Sequence, residues 1–126
     1  MESHLEAVLT EWHDAVNAGD PSRSAAAVGD PVVVLGPRGA GPITPSRFAE
    51  WVRRSGIRLT PVSWHPVSDR VMVVEEDAVW PGEESAVRVA TVFRVVDGTV
   101  TAALRLPDLR SALELAHLYR ELAATE

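Results

Sequence analysis

The hydrophobic residues of this chain change their spacing at Ile57. Before that point they recur three or four positions apart, as at Leu5, Leu9 and Trp12, which is the spacing of an amphipathic helix, and His13 falls off this stripe. After Ile57 apolar and polar residues alternate as they do in strands, and helical spacing returns near the C-terminal end. The chain is therefore predicted to have an α+β fold, with helices first, an antiparallel sheet next and a helix last.

Glycine, proline and capping residues divide the first half of the chain into short elements. Asp20-Pro21 and Thr44-Pro45 each combine an N-cap residue with proline at the first helical position, so each predicts the start of a helix. The predicted elements are, in order, a helix ending at Gly19, a short helix near 22–28, a strand at 31–35, a loop at 36–42 and a helix beginning at Thr44-Pro45.

The clearest hairpin is the segment VATVFRVVDGTVTAALRL, residues 89–106. Asp97-Gly98 favours a two-residue turn that pairs the flanking strands directly. With Val96 opposite Thr99, the odd-numbered residues of the first strand share one face with the even-numbered residues of the second, including Leu104. Two further strands are predicted near 58–65 and 70–80, and a final helix is predicted to begin at an N-cap, Asp108.

Composition limits the class of protein. With 126 residues of which 46% are hydrophobic, the chain is predicted to form a single domain over 1–126. The net charge of −6 and the scattered arginines argue against nucleic-acid binding. No export signal or membrane anchor is recognisable, and there are no cysteines, so a cytoplasmic location is expected. All basic residues are arginine, which is typical of a high-GC bacterial genome.

Three segments resemble one known superfamily. They are AVNAGD at 15–20, ATVFRVVDGTV at 90–100 and DLRSALELAHL at 108–118. On these segments the chain resembles the nuclear transport factor 2-like (NTF2-like) superfamily, in particular its SnoaL-like and ketosteroid-isomerase-like proteins. The resemblance implies a cone-shaped, curved antiparallel sheet wrapped around an N-terminal helix, also described as a cystatin-like roll.

The same resemblance implies that the catalytic residues of ketosteroid isomerases are absent here. Counted from AVNAGD, the phenol donor of those enzymes falls at Trp12 and their general-base aspartate falls at Gly36. Their second oxyanion donor falls at Thr91. Glycine cannot remove a proton from carbon, and the family includes isomerases, cyclases, hydrolases and binding modules, so the resemblance alone does not give an activity.

Several residues are candidates for lining a pocket inside the cone. If Trp80 pairs with Ala86 across the intervening turn, Glu75 lies opposite Thr91 on the face toward the cavity. Its neighbour Glu76 then points away from the cavity. A carboxylate in an apolar cone is a candidate acid or base, whereas at a rim it would be solvated. The predicted lining residues are Trp12, Trp64, Glu75, Thr91, Phe93 and Leu104.

Three functions stay open from the sequence. The first is binding of a small apolar molecule in the cone, and the second is a non-catalytic interaction module whose cone is filled by aromatic side chains. The third is a small-molecule isomerase, cyclase or hydrolase that uses an acid such as Glu75. No cofactor is expected, and the histidines lack the spacing of metal ligands.

A homodimer is also expected, formed through the outer face of the sheet. The predicted pairing of the strands places many apolar side chains on that face, more than a monomer would leave in water. These residues are Met72, Val74, Ala78, Trp80, Ala90, Val92 and Ala103.

Overall fold

The computed structural model describes residues 4–36 and 39–124. The predicted helices and strands follow one another in the predicted order, with one further strand in a segment that was predicted as a loop. The elements are α1 (His4–Ala18), α2 (Pro21–Ala26), β1 (Val28–Gly36), β2 (Gly39–Ile43), α3 (Pro45–Ser55), β3 (Arg58–Pro66), β4 (Val71–Val79), β5 (Val87–Val96), β6 (Thr99–Leu106) and α4 (Leu109–Ala124).

The predicted helix starts are confirmed by their capping hydrogen bonds. The Thr44 hydroxyl oxygen accepts a hydrogen bond from the backbone N–H of Arg47 at 3.2 Å, and the Asp108 carboxylate accepts one from Ser111 at 2.7 Å. Asp20 caps α2 in the same way. Each side chain satisfies a backbone donor that the first turn of a helix leaves unpaired. Among the described residues, no helix has the length and hydropathy needed to cross a membrane.

One predicted loop is in fact largely a strand. The segment 36–42 was predicted as a loop, but β2 pairs with β1 from Gly36 opposite Gly39 to Val32 opposite Ile43. Residues 37–38 of that segment lie outside the described residues. Glycine and proline are tolerated here because β2 is an edge strand, which pairs on one side only.

The six strands form one curved sheet in the order β2-β1-β6-β5-β4-β3. All neighbours are antiparallel except β1 and β6, which are parallel. We call the face that packs against α1 and α3 the inner face, and the face that packs against α4 the outer face. The predicted α+β class, with a curved sheet around the N-terminal helix, is confirmed.

A bulge near the turn of the main hairpin corrects the position of Leu104. Val96 lies opposite Thr99 as predicted, but the register then shifts by one residue at Thr101. The Thr101 hydroxyl donates to the carbonyl oxygen of Arg94 at 3.3 Å, which fixes the irregularity. Because a bulge exchanges the faces of every residue beyond it, Leu104 packs on the outer face against α4 and not in the cone.

The pairing of β4 with β5 also differs by one residue from the predicted register. Glu75 lies opposite Ala90, and Glu76 lies opposite Val89. A shift of one residue moves every side chain of a strand to the other face. Glu75 is therefore on the outer face, and Glu76 is the carboxylate that points inward, which reverses the prediction.

The same corrections change the basis of the expected dimer. Four of the residues predicted to point outward belong to the inner core, namely Met72, Val74, Ala78 and Ala103, and Trp80 packs against that core. Ala90 and Val92 are on the outer face but are covered by α4. Large apolar side chains are instead exposed on α4 itself, at Leu118, Tyr119 and Leu122.

Candidate functional site

Three polar side chains are buried together on the inner face of the sheet. His13 comes from α1, Glu76 from β4 and Thr91 from β5, and their exposed fractions are 2%, 0% and 3%. We call these three residues the inner polar cluster. Ionisable groups are seldom buried so completely unless they are paired, because water no longer solvates their charged forms.

The hydrogen bonds made by the inner polar cluster show where most of its polar hydrogens lie. His13 Nδ1 lies 2.7 Å from the carbonyl oxygen of Leu9, which can only accept, so Nδ1 donates. The Thr91 hydroxyl lies 2.6 Å from Glu76 Oε1. His13 Nε2 forms a hydrogen bond with Glu76 Oε2. One proton is therefore shared between Nε2 and Oε2, and it makes the pair either ionic or neutral.

A shared proton of this kind equips the cluster for acid and base chemistry. The neutral form offers a carboxylic acid as a donor, and the ionic form offers a carboxylate as an acceptor. Thr91 orients one carboxylate oxygen and the Leu9 carbonyl orients the imidazole, so both partners have a fixed direction. Buried acid–base pairs are found at active sites but also occur as structural networks.

Aromatic rings enclose the inner polar cluster. Trp12 contacts the rings of Phe93 and His13 edge to face, with centroids 4.8 Å and 4.9 Å away, and the His13 ring lies 5.9 Å from that of Trp64. Among the described residues, the buried Trp12 Nε1 has no hydrogen-bond partner. A buried N–H donor without an acceptor is costly, so this atom is an open hydrogen-bonding position.

The inner face is closely packed in this structure. Three indoles at its margin, Trp51, Trp64 and Trp80, are only partly buried. Two depressions on the surface formed by residues 4–36 and 39–124 lie away from the inner face. The larger, about 740 Å³, is an open groove along α4 next to Leu109 and Leu113, and the other lies between α1 and α2.

Glu75 belongs to a separate network on the outer face. Its carboxylate accepts a hydrogen bond from the Ser63 hydroxyl at 3.0 Å and lies 3.8 Å from the Arg88 guanidinium. Ser63 is in turn 2.8 Å from His65 Nε2. These groups are partly solvated and already satisfy one another, so the candidate acid of the sequence prediction is a surface ion-pair partner.

Four of the six predicted lining residues come together on the inner face, at Trp12, Trp64, Thr91 and Phe93. Sequence reasoning missed His13 and Glu76, which supply the ionisable groups. His13 follows Leu9 by four residues and precedes Val16 by three, so the helical spacing was compatible with a position in the core. For Glu76 the only signal was a run of three acidic residues, Glu75 to Asp77, within an apolar strand.

These features define the class of fold, a curved sheet with helices on its inner face. No family model matches the sequence, and no curated protein matches it significantly. Solved structures do match. An NTF2-like protein of unknown function from Cytophaga hutchinsonii has a TM-score of 0.73 at 12% identity, covering 90% of this chain and 96% of its own.

Two further structures are similar to this chain. The Delta 5-3-ketosteroid isomerase from Mycobacterium sp. has a TM-score of 0.70 at 20% identity, covering 88% of this chain and 97% of its own. A computationally designed 17-OHP binder has a TM-score of 0.72 at 18% identity, covering 87% and 95%. At these identities the likeness establishes the fold, so the NTF2-like fold predicted from the sequence is confirmed.

Proposed function

We propose that the protein binds a small, mostly apolar molecule at the inner face, and that the His13–Glu76 pair transfers a proton to or from it. The observation that supports this most directly is a buried acid–base pair next to an unsatisfied donor, Trp12 Nε1. A core that served packing alone would be as stable or more stable with apolar side chains at these positions.

The similar structures are compatible with this proposal. By their names, one is an enzyme acting on ketosteroids and another binds 17-OHP, so the same fold holds small molecules in those proteins. In this chain the ligand would enter between the partly buried indoles at the margin of the inner face. Its polar atom would accept a hydrogen bond from Trp12 Nε1, because that donor is otherwise unpaired.

The binding step is tested with N-phenyl-1-naphthylamine, an uncharged apolar fluorophore. We expect it to quench the indole emission of the wild-type protein, and we expect Trp12→Phe to weaken its binding and so reduce the quenching at a given probe concentration, because Trp12 is at the centre of the inner face. Leu113→Arg is the matched control, since it blocks the groove along α4 and leaves the inner face intact. A response lost in the control and kept in Trp12→Phe would contradict the proposal.

The proton-transfer step is tested with Glu76→Gln. Glutamine can accept from Thr91 and donate to His13 Nε2, so the hydrogen bonds persist but the transferable proton is lost. In a screen of small apolar ketones and epoxides in D₂O, followed by NMR, we expect turnover or deuterium uptake to fall by about 10²–10⁴-fold in the variant. Equal rates for both proteins would refute the assigned role of the pair.

A second candidate function is contact with another copy of this chain. The expected homodimer stays a prediction, and the exposed apolar residues at Leu118, Tyr119 and Leu122 favour a contact through α4 on the outer side of the sheet. Apolar side chains exposed in a group on one helix are a common mark of an interaction surface.

Sedimentation equilibrium at micromolar concentration tests this candidate. We expect a dimer mass for the wild type and a monomer mass for Leu118→Glu, because a carboxylate would have to be buried in the contact. Arg47→Glu, at an exposed position of α3, is the control and should stay dimeric. A wild-type protein of monomer mass would remove this candidate.

A further inference from the structure

The guanidinium group of Arg105 occupies an unusual place on the inner face. Arg105 lies on β6 directly opposite Thr91, a member of the inner polar cluster. Side chains at directly opposite positions of neighbouring strands are in contact distance of each other. Arg105 is therefore a further polar residue next to the inner polar cluster, on the side toward the margin of the inner face.

Two neighbours border the guanidinium. It lies over the ring of Trp80, 5.4 Å from the ring centroid, which is the distance of a cation–π contact. A Cβ atom built on Gly36 would lie 3.8 Å from Arg105 Nη2, so the guanidinium covers the backbone at a position where there is no side chain. The cation is thus ordered by an aromatic face on one side and bounded by a glycine on the other.

Within the described residues, this guanidinium has no hydrogen bond or ion pair of its own. Its charge is partly removed from water, and that burial lowers the pKa of Arg105, while the Glu76 carboxylate on the same face opposes the shift. Arginine stays protonated under such conditions. Arginines on the neighbouring strand are paired, since Arg88 binds Asp77 and Arg94 binds Thr101. A partly desolvated guanidinium whose N–H groups have no hydrogen-bond acceptor among the described residues is an open position for an anion.

We propose that Arg105 binds the anionic group of the ligand, so that the molecule bound at the inner face is a small apolar acid. This inference rests on the proposed function and specifies its substrate class. Two N–H groups of a guanidinium fit two oxygens of a carboxylate, sulfonate or phosphate. With the anion at Arg105, the adjoining atoms of the ligand lie next to Thr91 and Glu76, where the shared proton is.

The test compares two probes that differ only in charge. 8-Anilinonaphthalene-1-sulfonate carries an anionic group, and N-phenyl-1-naphthylamine has the same rings without it. We expect the wild-type protein to bind the anion about tenfold more tightly, the effect of one charge-assisted hydrogen bond. We expect Arg105→Gln to abolish that preference while binding of the neutral probe persists.

The control for loss of positive charge is Arg58→Gln. Arg58 is exposed and points to the opposite face from its neighbour Leu59 in the inner core, so the anion preference should be unchanged. Equal affinity of the wild type for both probes would overturn the role of Arg105 and leave the proposed function standing. Failure of both probes to quench the inner-face indoles would overturn both.

A second variant tests the same assignment with Arg105 left in place. Gly36→Asp introduces a carboxylate beside Arg105 Nη2, and it should occupy the anion site from within the chain. We expect this variant to lose the tenfold preference and to keep neutral-probe binding. Gly36→Asn has the same shape without the charge and should keep most of the preference. Equal losses in the two variants would show that bulk and not charge is responsible, which contradicts the inference.

Discussion

Replacing His13 by leucine is expected to lower the free energy of unfolding by about 3–5 kcal/mol, measured by chemical denaturation. The variant leaves the carboxylate of Glu76 fully buried with the Thr91 hydroxyl as its remaining partner. Breaking a buried pair by removing one partner is costly, because the other partner keeps its desolvation penalty and loses the compensating interaction.

The triple replacement of His13→Leu, Glu76→Leu and Thr91→Val is the informative control. It removes every member of the inner polar cluster at once, so no buried polar side chain of the cluster is left unpaired. We expect its stability to return to within about 1 kcal/mol of the wild type or to exceed it. A triple variant as unstable as His13→Leu alone would mean that the fold requires the cluster, and would favour a structural role over proton transfer.

Part of the candidate site could be predicted from the sequence. Trp12 was predictable because the spacing of α1 places it in the middle of an apolar stripe. Thr91 and Phe93 were predictable because Asp97-Gly98 fixes the first strand of the hairpin. Both turn residues adopt positive φ angles, 52° and 78°, as the favoured two-residue turn requires.

The identity of the inward carboxylate was not predictable, because it depends on the length of one turn. Glu75 and Glu76 are adjacent, and a difference of one residue in the turn between β4 and β5 decides which of them faces inward. That turn contains a hydrogen bond from the backbone N–H of Glu83 to the carbonyl oxygen of Trp80. Neither the composition nor the alternation of the strand contains this information.

Leu104 illustrates a second limit of the sequence. The alternation along β6 is regular, so it predicted one uninterrupted face. The bulge at Thr101 is accompanied by a hydrogen bond from its side chain to the backbone of Arg94, which the alternation of residues does not encode. The shift brings Arg105 onto the inner face and moves Leu104 away from it, and the proposed anion site depends on that position of Arg105.

Replacing Phe93 by alanine is expected to cost about 3–5 kcal/mol of unfolding free energy. Phe93 is fully buried, and its ring lies 4.8 Å from that of Trp12 and 5.5 Å from that of His13. The lost ring leaves an apolar cavity beside the inner polar cluster. Val33→Ala, at a residue 40% exposed on β1, is the matched control and should change stability by less than about 0.5 kcal/mol.

The same variant measures whether the inner face keeps its shape around an apolar guest. An apolar cavity that does not collapse stays dry and binds a small aromatic molecule. Excess toluene should therefore raise the unfolding free energy of Phe93→Ala by about 1–2 kcal/mol through binding to the folded state. It should leave the unfolding free energy of Val33→Ala unchanged. If Phe93→Ala loses less than about 1.5 kcal/mol of unfolding free energy and toluene restores none of it, Trp12 and its neighbours have moved into the space of the missing ring. The inner face would then fill its own space, and the interaction-module function would be favoured over ligand binding.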